Sequence, residues 1–256
     1  MLGLGLGGCA TPGNLHVYSL AATDLTQVRN TAATEAGQAE ERDAPSFLGE
    51  DTLTGFGYDP YTDHFFLRLA PGNQIRVVDR PDRSIKREFT VAEMPVTGGG
   101  DLAVKPRNGH IFLVHPTEPA LIELTRLAGF VRVIRLAEMS GPPTGVAYDA
   151  GRDVLLVLAG KAGTGAQAEA GAQVVTYALE GRRLGTITLE REVAGSLAFD
   201  AEMREFYAPL LPTGTGASAT AGAGIGVFDE TGKLKRTLRS EAAFVDVGQR
   251  SLIRMF

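Results

Sequence analysis

A chain of 256 residues, 44% of them apolar, is long enough for one large core or two modest ones. Its formal net charge of −5 offers phosphate backbones no sequence-independent attraction, which argues against nucleic acid as a partner. The single cysteine excludes an intrachain disulfide and a cysteine-rich zinc site, and no apolar run reaches the roughly eighteen residues of a membrane-spanning helix.

Thirty-two glycines and thirteen prolines suit a chain that turns every few residues, so the composition leans to all-β. At the N-terminus, Leu6-Gly7-Gly8-Cys9 has the Leu-small-small-Cys order of a bacterial lipobox and resembles the cleavage site of a lipoprotein signal peptide. That resemblance implies lipidation at Cys9, a tether over residues 1–14 and a place in the bacterial cell envelope, periplasmic or surface. The apolar part before Cys9 is shorter than the roughly 7–15 residues of such a peptide, so the reading expects further residues upstream. Gly3 to Gly8 also spells GxGxxG, but no strand signal precedes it and no helix signal follows, which removes the dinucleotide reading.

Leu15 to Ser19 and Leu25 to Arg29 are β-forming runs, and 30–52 is expected as a long loop, with Thr34 to Arg42 a candidate short helix. From Gly55 to Val91 four β-forming runs are separated by Asp-Pro-Tyr-Thr-Asp, Ala-Pro-Gly-Asn and Arg-Pro-Asp-Arg. Turns this short join antiparallel neighbours, so the stretch predicts a four-stranded meander, and one such sheet must stack against others to bury its faces.

The remaining chain repeats that unit. Taking Asp59 as a marker, a small-apolar-Asp pattern recurs at Asp149, Asp200 and Asp246, with Lys105 as the variant, at intervals of 46, 44, 51 and 46 residues. A period in the forties with four strands is that of a propeller blade. After Asp246 the sequence has room for two strands, while Leu15 to Ser19 and Leu25 to Arg29 read as a third and fourth. The expectation is therefore an all-β, five-bladed β-propeller of four-stranded antiparallel blades over 15–256, closed by pairing of N- and C-terminal strands. Its blades are expected at 244–256 plus 15–29, 53–92, 97–136, 143–189 and 194–238. Two residues before each marker stand Gly57, Ala103, Ala147, Ala198 and Phe244, four of them small, and small side chains there let innermost strands crowd round an axis.

Residues Pro143 to Val157, PTGVAYDAGRDVLLV, resemble the opening of a repeat in the NHL and YncE-like group of bacterial β-propellers; the rhythm of the likeness extends over residues 15–256. The resemblance implies a surface or periplasmic propeller that binds something, without naming the ligand.

The loops from second to third strand, and from each fourth strand to the next blade, share one face, here called the top. From marker to the end of the third strand takes 20 residues from Asp59 or Lys105 but 29 from Asp149 or Asp200, so Gly/Ala-rich insertions within 160–171 and 213–224 lie on that face. Polar residues expected near it are Arg68, Asp101, His115, Glu118 and Lys161, with His115 exposed at a strand end. His64 and His110 occupy one equivalent blade position and read as structural. A basic lower rim, Arg80, Arg83, Arg126, Arg182, Arg183, Lys233, Lys235 and Arg236, is interleaved with acids and reads as a solvated charged surface.

GxSxG, HExxH, P-loop and calcium-loop motifs are absent, and the position four before the marker carries one acid, Asp101, where glycoside hydrolysis needs a pair. No cofactor and no metal is expected. The leading function is a non-catalytic binding or scaffold propeller, monomeric, lipid-anchored through Cys9 and engaging a protein or glycan at its top face. The alternative is a hydrolase or lyase centred on Asp101, His115 and Arg68 at the top mouth of the axial channel. With Leu15 starting a third strand, the five residues Ala10 to Asn14 span at most about 18 Å, which places the top face beside the bilayer.

Overall fold

The computed structural model describes residues 15–21, 27–32, 39–43, 48, 51–159, 171–211, 224–240 and 242–249. Cys9, Lys161 and both insertions lie outside them, apart from their edges at Gly171 and Gly224.

Four antiparallel four-stranded sheets are each built from one continuous stretch, in chain order. The first holds β4 (Thr52–Asp59), β5 (His64–Ala70), β6 (Gln74–Asp79) and β7 (Ile85–Phe89). The second holds β8 (Leu102–Lys105), β9 (His110–Val114), β10 (Ala120–Leu124) and β11 (Phe130–Arg135). Next come β12 (Pro143–Asp149), β13 (Val154–Ala159), β14 (Gln173–Ala178) and β15 (Arg183–Thr188). The last of these is β16 (Ala198–Asp200), β17 (Glu205–Pro209), β18 (Gly224–Phe228) and β19 (Leu234–Arg239). One further sheet joins the two ends of the described chain, in the order β20 (Ala242–Gln249), β1 (Leu15–Ala21), β2 (Gln27–Ala32) and β3 (Ala39–Asp43).

The joined sheet corrects the expected strand count. It takes one strand from the C-terminal side and three from the N-terminal side, not two and two. Leu15 begins the second strand rather than the third, with Val17 opposite Val247 and Ser19 opposite Val245. The expected partner, Ser251 to Met255, lies outside the described residues. The run expected as a fourth strand, Leu25 to Arg29, is in its described part the start of the third, β2. Residues 30–52 are not simply a loop: Ala39–Asp43, overlapping the end of the candidate helix, pairs with β2 as a strand, and there is no helix among the described residues. Helix propensity in that stretch is a weak prior, and the unpaired edge of β2 overrides it.

The sheets stand in a propeller arrangement. Their first strands lie side by side, β20 by β4, β4 by β8, β8 by β12, β12 by β16 and β16 by β20. Between neighbouring sheets lies a hydrophobic cluster, for example Tyr18 and Leu20 against Phe56, Tyr58 and Phe65, or Leu156 and Val174 against Phe199 and Phe206. Each sheet therefore buries both faces. That is why second strands such as Val154-Leu155-Leu156-Val157-Leu158 are apolar without alternation, while outermost strands such as Ile85-Lys86-Arg87-Glu88-Phe89 are exposed and charged. Crowding at the axis is tight: a Cβ on Gly55 would lie 2.4 Å from the Gly100 carbonyl oxygen.

One marker is displaced. β4, β8, β12 and β16 end on their markers, and the pairs Asp59–His64, Lys105–His110, Asp149–Val154 and Asp200–Glu205 close their ladders. β20 runs three residues past Asp246, which sits in mid-ladder opposite Tyr18. Gly248 stands level with Tyr58 and Pro60, so Asp246, not Phe244, occupies the small-residue level of Gly57 and turns a carboxylate toward the axis.

Candidate functional site

Arg68, on β5, is fully buried. Its Nε donates to Asn73 Oδ1 at 2.9 Å, Nη1 to the carbonyls of Gly100 at 3.0 Å and Val114 at 2.6 Å, and Nη2 to Met94 Sδ at 3.3 Å. Asn73, held at φ 53°, donates in turn to the Pro95 carbonyl. Burial pushes the guanidinium down to about 10 and the Asp101 carboxylate holds it up, so it stays charged at neutral pH. It clamps the 92–101 connection and the end of β9 onto the β5–β6 turn.

Asp101 is likewise fully buried and precedes β8. Its Oδ2 accepts from the amides of Leu197 at 3.0 Å and Val146 at 3.3 Å, which belong to two other sheets, while Oδ1 has no hydrogen-bond partner. Burial drives its carboxyl well above the usual range, against the pull of those amides, and the Asp246 carboxylate adds to the rise. Ser196, at the same repeat position, accepts from the Val245 amide at 3.1 Å and donates to the Val245 carbonyl at 3.3 Å. Asp246 accepts from the amides of Tyr58 at 2.5 Å and Val247 at 2.8 Å. A first strand has one free edge, whose amides face the axis and need acceptors; Asp101, Ser196 and Asp246 supply them across sheet boundaries.

His115 is 7% exposed, not the exposed strand-end residue expected from Pro116. Its Nδ1 accepts from the amides of Glu118 at 3.1 Å and Thr117 at 3.4 Å, so the ring closes the β9–β10 turn. Burial holds its pKa below the ordinary value, opposed by Glu118 and helped by the Arg68 and Arg135 cations. Glu118 is on the surface of that turn, 3.7 Å from Arg135. The structure thus gathers Arg68, Asp101 and His115 into one electrostatic neighbourhood under the top face, each occupied by backbone or by a neighbouring side chain. His64 and His110 meet acids on their third strands, Asp79 at 3.6 Å and Glu123 at 2.6 Å.

On the lower face, markers engage the following sheet. Asp59 pairs with Arg126 at 2.8 Å and Asp149 with Arg204 at 2.5 Å; at the variant marker the charges are reversed, Lys105 meeting Asp153 at 2.6 Å. Rim cations are similarly matched, Arg80 with Asp63 and both Lys235 and Arg236 with Glu205.

The same face holds a concave feature that the sequence did not disclose. Where the five first strands end, a cavity of about 310 Å³ opens along the axis, with Asp246, Asp200, Tyr148, Phe199, Pro60 and Pro106 in its wall. Burial pushes Asp246 up to about 7, and burial raises Asp200, whose Oδ2 meets no hydrogen-bond donor. The available signal was the strand continuing as Val247-Gly248-Gln249 after Asp246, unlike the turn residues that follow every other marker. Among the described residues no three His, Cys, Asp or Glu side chains group as metal ligands.

No protein-family model and no curated protein matches the sequence. In three dimensions the chain is similar to one in the crystal structure of a nidogen/laminin complex, with a TM-score of 0.57 and 12% identity over 91% of this chain and 98% of that one. It is similar to a protein of unknown function from Bacteroides caccae, with a TM-score of 0.55, 12% identity and the same coverage of each. At this identity the likeness is one of fold, and the fold is a β-propeller.

Proposed function

We propose that the chain is a non-catalytic binding or scaffold propeller of the bacterial cell envelope, a five-bladed ring closed through β1 and β20, engaging a protein or glycan at its top face. The observation that carries this reading is the occupation of Arg68, Asp101 and His115: their polar atoms hold backbone from several sheets together, which is scaffold work. The β13–β14 and β17–β18 connections that contain the insertions start and end on that face. Lipidation at Cys9 completes the reading. Because Leu15 starts a second strand, the tether leaves from the lower face, and the top face points away from the bilayer, opposite to the orientation a third strand implied.

The test is capture. Immobilised protein is presented with glycan arrays and with detergent-solubilised envelope protein, beside variants in which 160–170 or 213–223 is replaced by a short Gly-Ser link. Specific capture lost in either variant, with unchanged melting, supports the reading. Turnover of a glycoside, ester or lactone panel that Asp101→Asn abolishes without loss of fold would overturn it in favour of the hydrolase or lyase alternative.

A further inference from the structure

The axial cavity lies on the lower face, opposite the top face proposed to engage a partner, and its chemistry is one-sided. Its wall includes Asp200, Glu202 and Asp246 but no Lys, Arg or His. Elsewhere in the repeat the markers are neutralised by the following sheet, Asp59 by Arg126 and Asp149 by Arg204. Asp200 is the exception: it is 6% exposed, its Oδ1 accepts from the Glu202 amide, and its Oδ2 is buried without a donor. Lys105, next to the wall residues Val104 and Pro106, is held by Asp153 and lies over the Tyr148 ring. A buried carboxylate oxygen beside a cavity, lacking the cation that its repeat equivalents have, marks a place for a cation from outside.

The rest of the wall says which kind. Prolines, alanines and three aromatic residues, Tyr58, Tyr148 and Phe199, offer apolar surface that a hydrated metal ion cannot use but an alkyl chain can. A volume of about 310 Å³ holds roughly ten waters' share of liquid, enough for a chain of several methylenes ending in a charged head. We propose that the axial cavity is a binding site for a primary alkylammonium group, its head met by Asp246 and Asp200 and its chain lying on the proline and aromatic wall. The ammonium belongs either to a free amine or to a lysine side chain of a partner protein; the chemistry of recognition is the same.

Isothermal titration calorimetry in phosphate buffer at pH 8 tests this on the full chain, with n-pentylammonium chloride, the peptide acetyl-Gly-Lys-Gly-amide, neutral 1-pentanol and pentanoate as probes. Pentylammonium should bind saturably with one site, at least tenfold more tightly than pentanol, and pentanoate should not bind. Asp246→Asn should weaken it at least tenfold, as should Ala150→Leu, an exposed wall position where added bulk narrows the cavity without entering the core. Binding of the peptide as well assigns the site to protein lysines, whereas binding of pentylammonium alone assigns it to free amines. Equal affinity for pentanol, absence of saturable pentylammonium binding, or binding indifferent to both substitutions in variants that melt like the parent would overturn the proposal.

Discussion

Asp246 makes the fold depend on pH in a calculable way. The groups facing its carboxylate are the Tyr58 amide of β4, its own neighbour's Val247 amide, and the Asp101 carboxylate further along the axis. Its pKa is about 7 folded, against 3.8 for the free side chain. A raised carboxyl means that the folded state binds the proton more tightly than the unfolded one. The stability it confers is therefore whole below the unfolded pKa and is lost as pH rises toward the folded one. Between pH 5 and pH 8 that loss is about 2.5 kcal/mol for an unscreened group, and about 1–2.5 kcal/mol once water in the adjoining cavity is allowed for. For a chain of this size it corresponds to a fall in melting temperature of roughly 2–8 °C. The assay is thermal unfolding at fixed ionic strength in amine-free buffers across that range, wild type beside Asp246→Asn. The amide sets one N–H against a backbone donor, a penalty of about 1–3 kcal/mol that does not vary with pH and cancels from the slope. The variant should lose most of the decline, and because Asp246 also raises Asp101, that group's own contribution should ease in the same direction. Parallel curves for the two proteins would refute the reasoning.

Asp101→Asn keeps a carbonyl oxygen where Oδ2 accepts two amides and removes a carboxyl whose pKa burial raises, so its melting temperature should gain on that of wild type as pH rises. Arg68→Met strands the carbonyls of Gly100 and Val114 and the Asn73 side chain, and chemical denaturation should show a loss of about 3–5 kcal/mol; Arg68→Lys should recover little of it, since one ammonium cannot span the fork. Lys105→Asp should be partly repaired by Asp153→Lys, the double-mutant cycle yielding about 0.2–1 kcal/mol because Asp153 is largely exposed. Deleting 242–256 leaves β1 without its inner neighbour, and aggregation or a far lower melting temperature is expected on light scattering and calorimetry.

The repeat was legible because its periodic features are local: turn residues after Asp59 and Asp149, and apolar runs for strands buried on both faces. What failed was the joined sheet. Its strand order depends on which run lies beside β20, and Leu15 to Ser19 reads the same as a second or a third strand; only pairing across the whole chain decides. Asp246 was read as a marker because Phe244-Val245-Asp246 matches the small-apolar-Asp pattern in its acid, while the two-residue slip is visible only in the ladder. His115 was expected in solvent because Pro116 ends the strand, and the sequence carries no sign that the ring would turn inward to take two amides. Arg68, Asp101 and His115 do share one electrostatic neighbourhood. Their partners could not be foreseen, since Gly100, Val114, Val146 and Leu197 contribute backbone atoms whose positions no side-chain pattern reports.

The displacement of Asp246 has its physical origin at the axis. Innermost strands have no neighbour on one edge, and their amides must find acceptors in a space too narrow for a further strand. Small residues such as Gly55 allow the approach but satisfy nothing, so acceptors must come from a few longer polar side chains. Asp101 meets that need at the upper end for two sheets at once, Ser196 for the joined sheet, and Asp246 near the lower end for β4. A carboxylate recruited for this purpose sits deep, and burial raises its pKa whether or not a ligand ever meets it. A raised acid on the axis of this fold is therefore first an edge acceptor. What distinguishes the lower end is the cavity beside Asp246 and the undonated Oδ2 of Asp200, which edge satisfaction does not require.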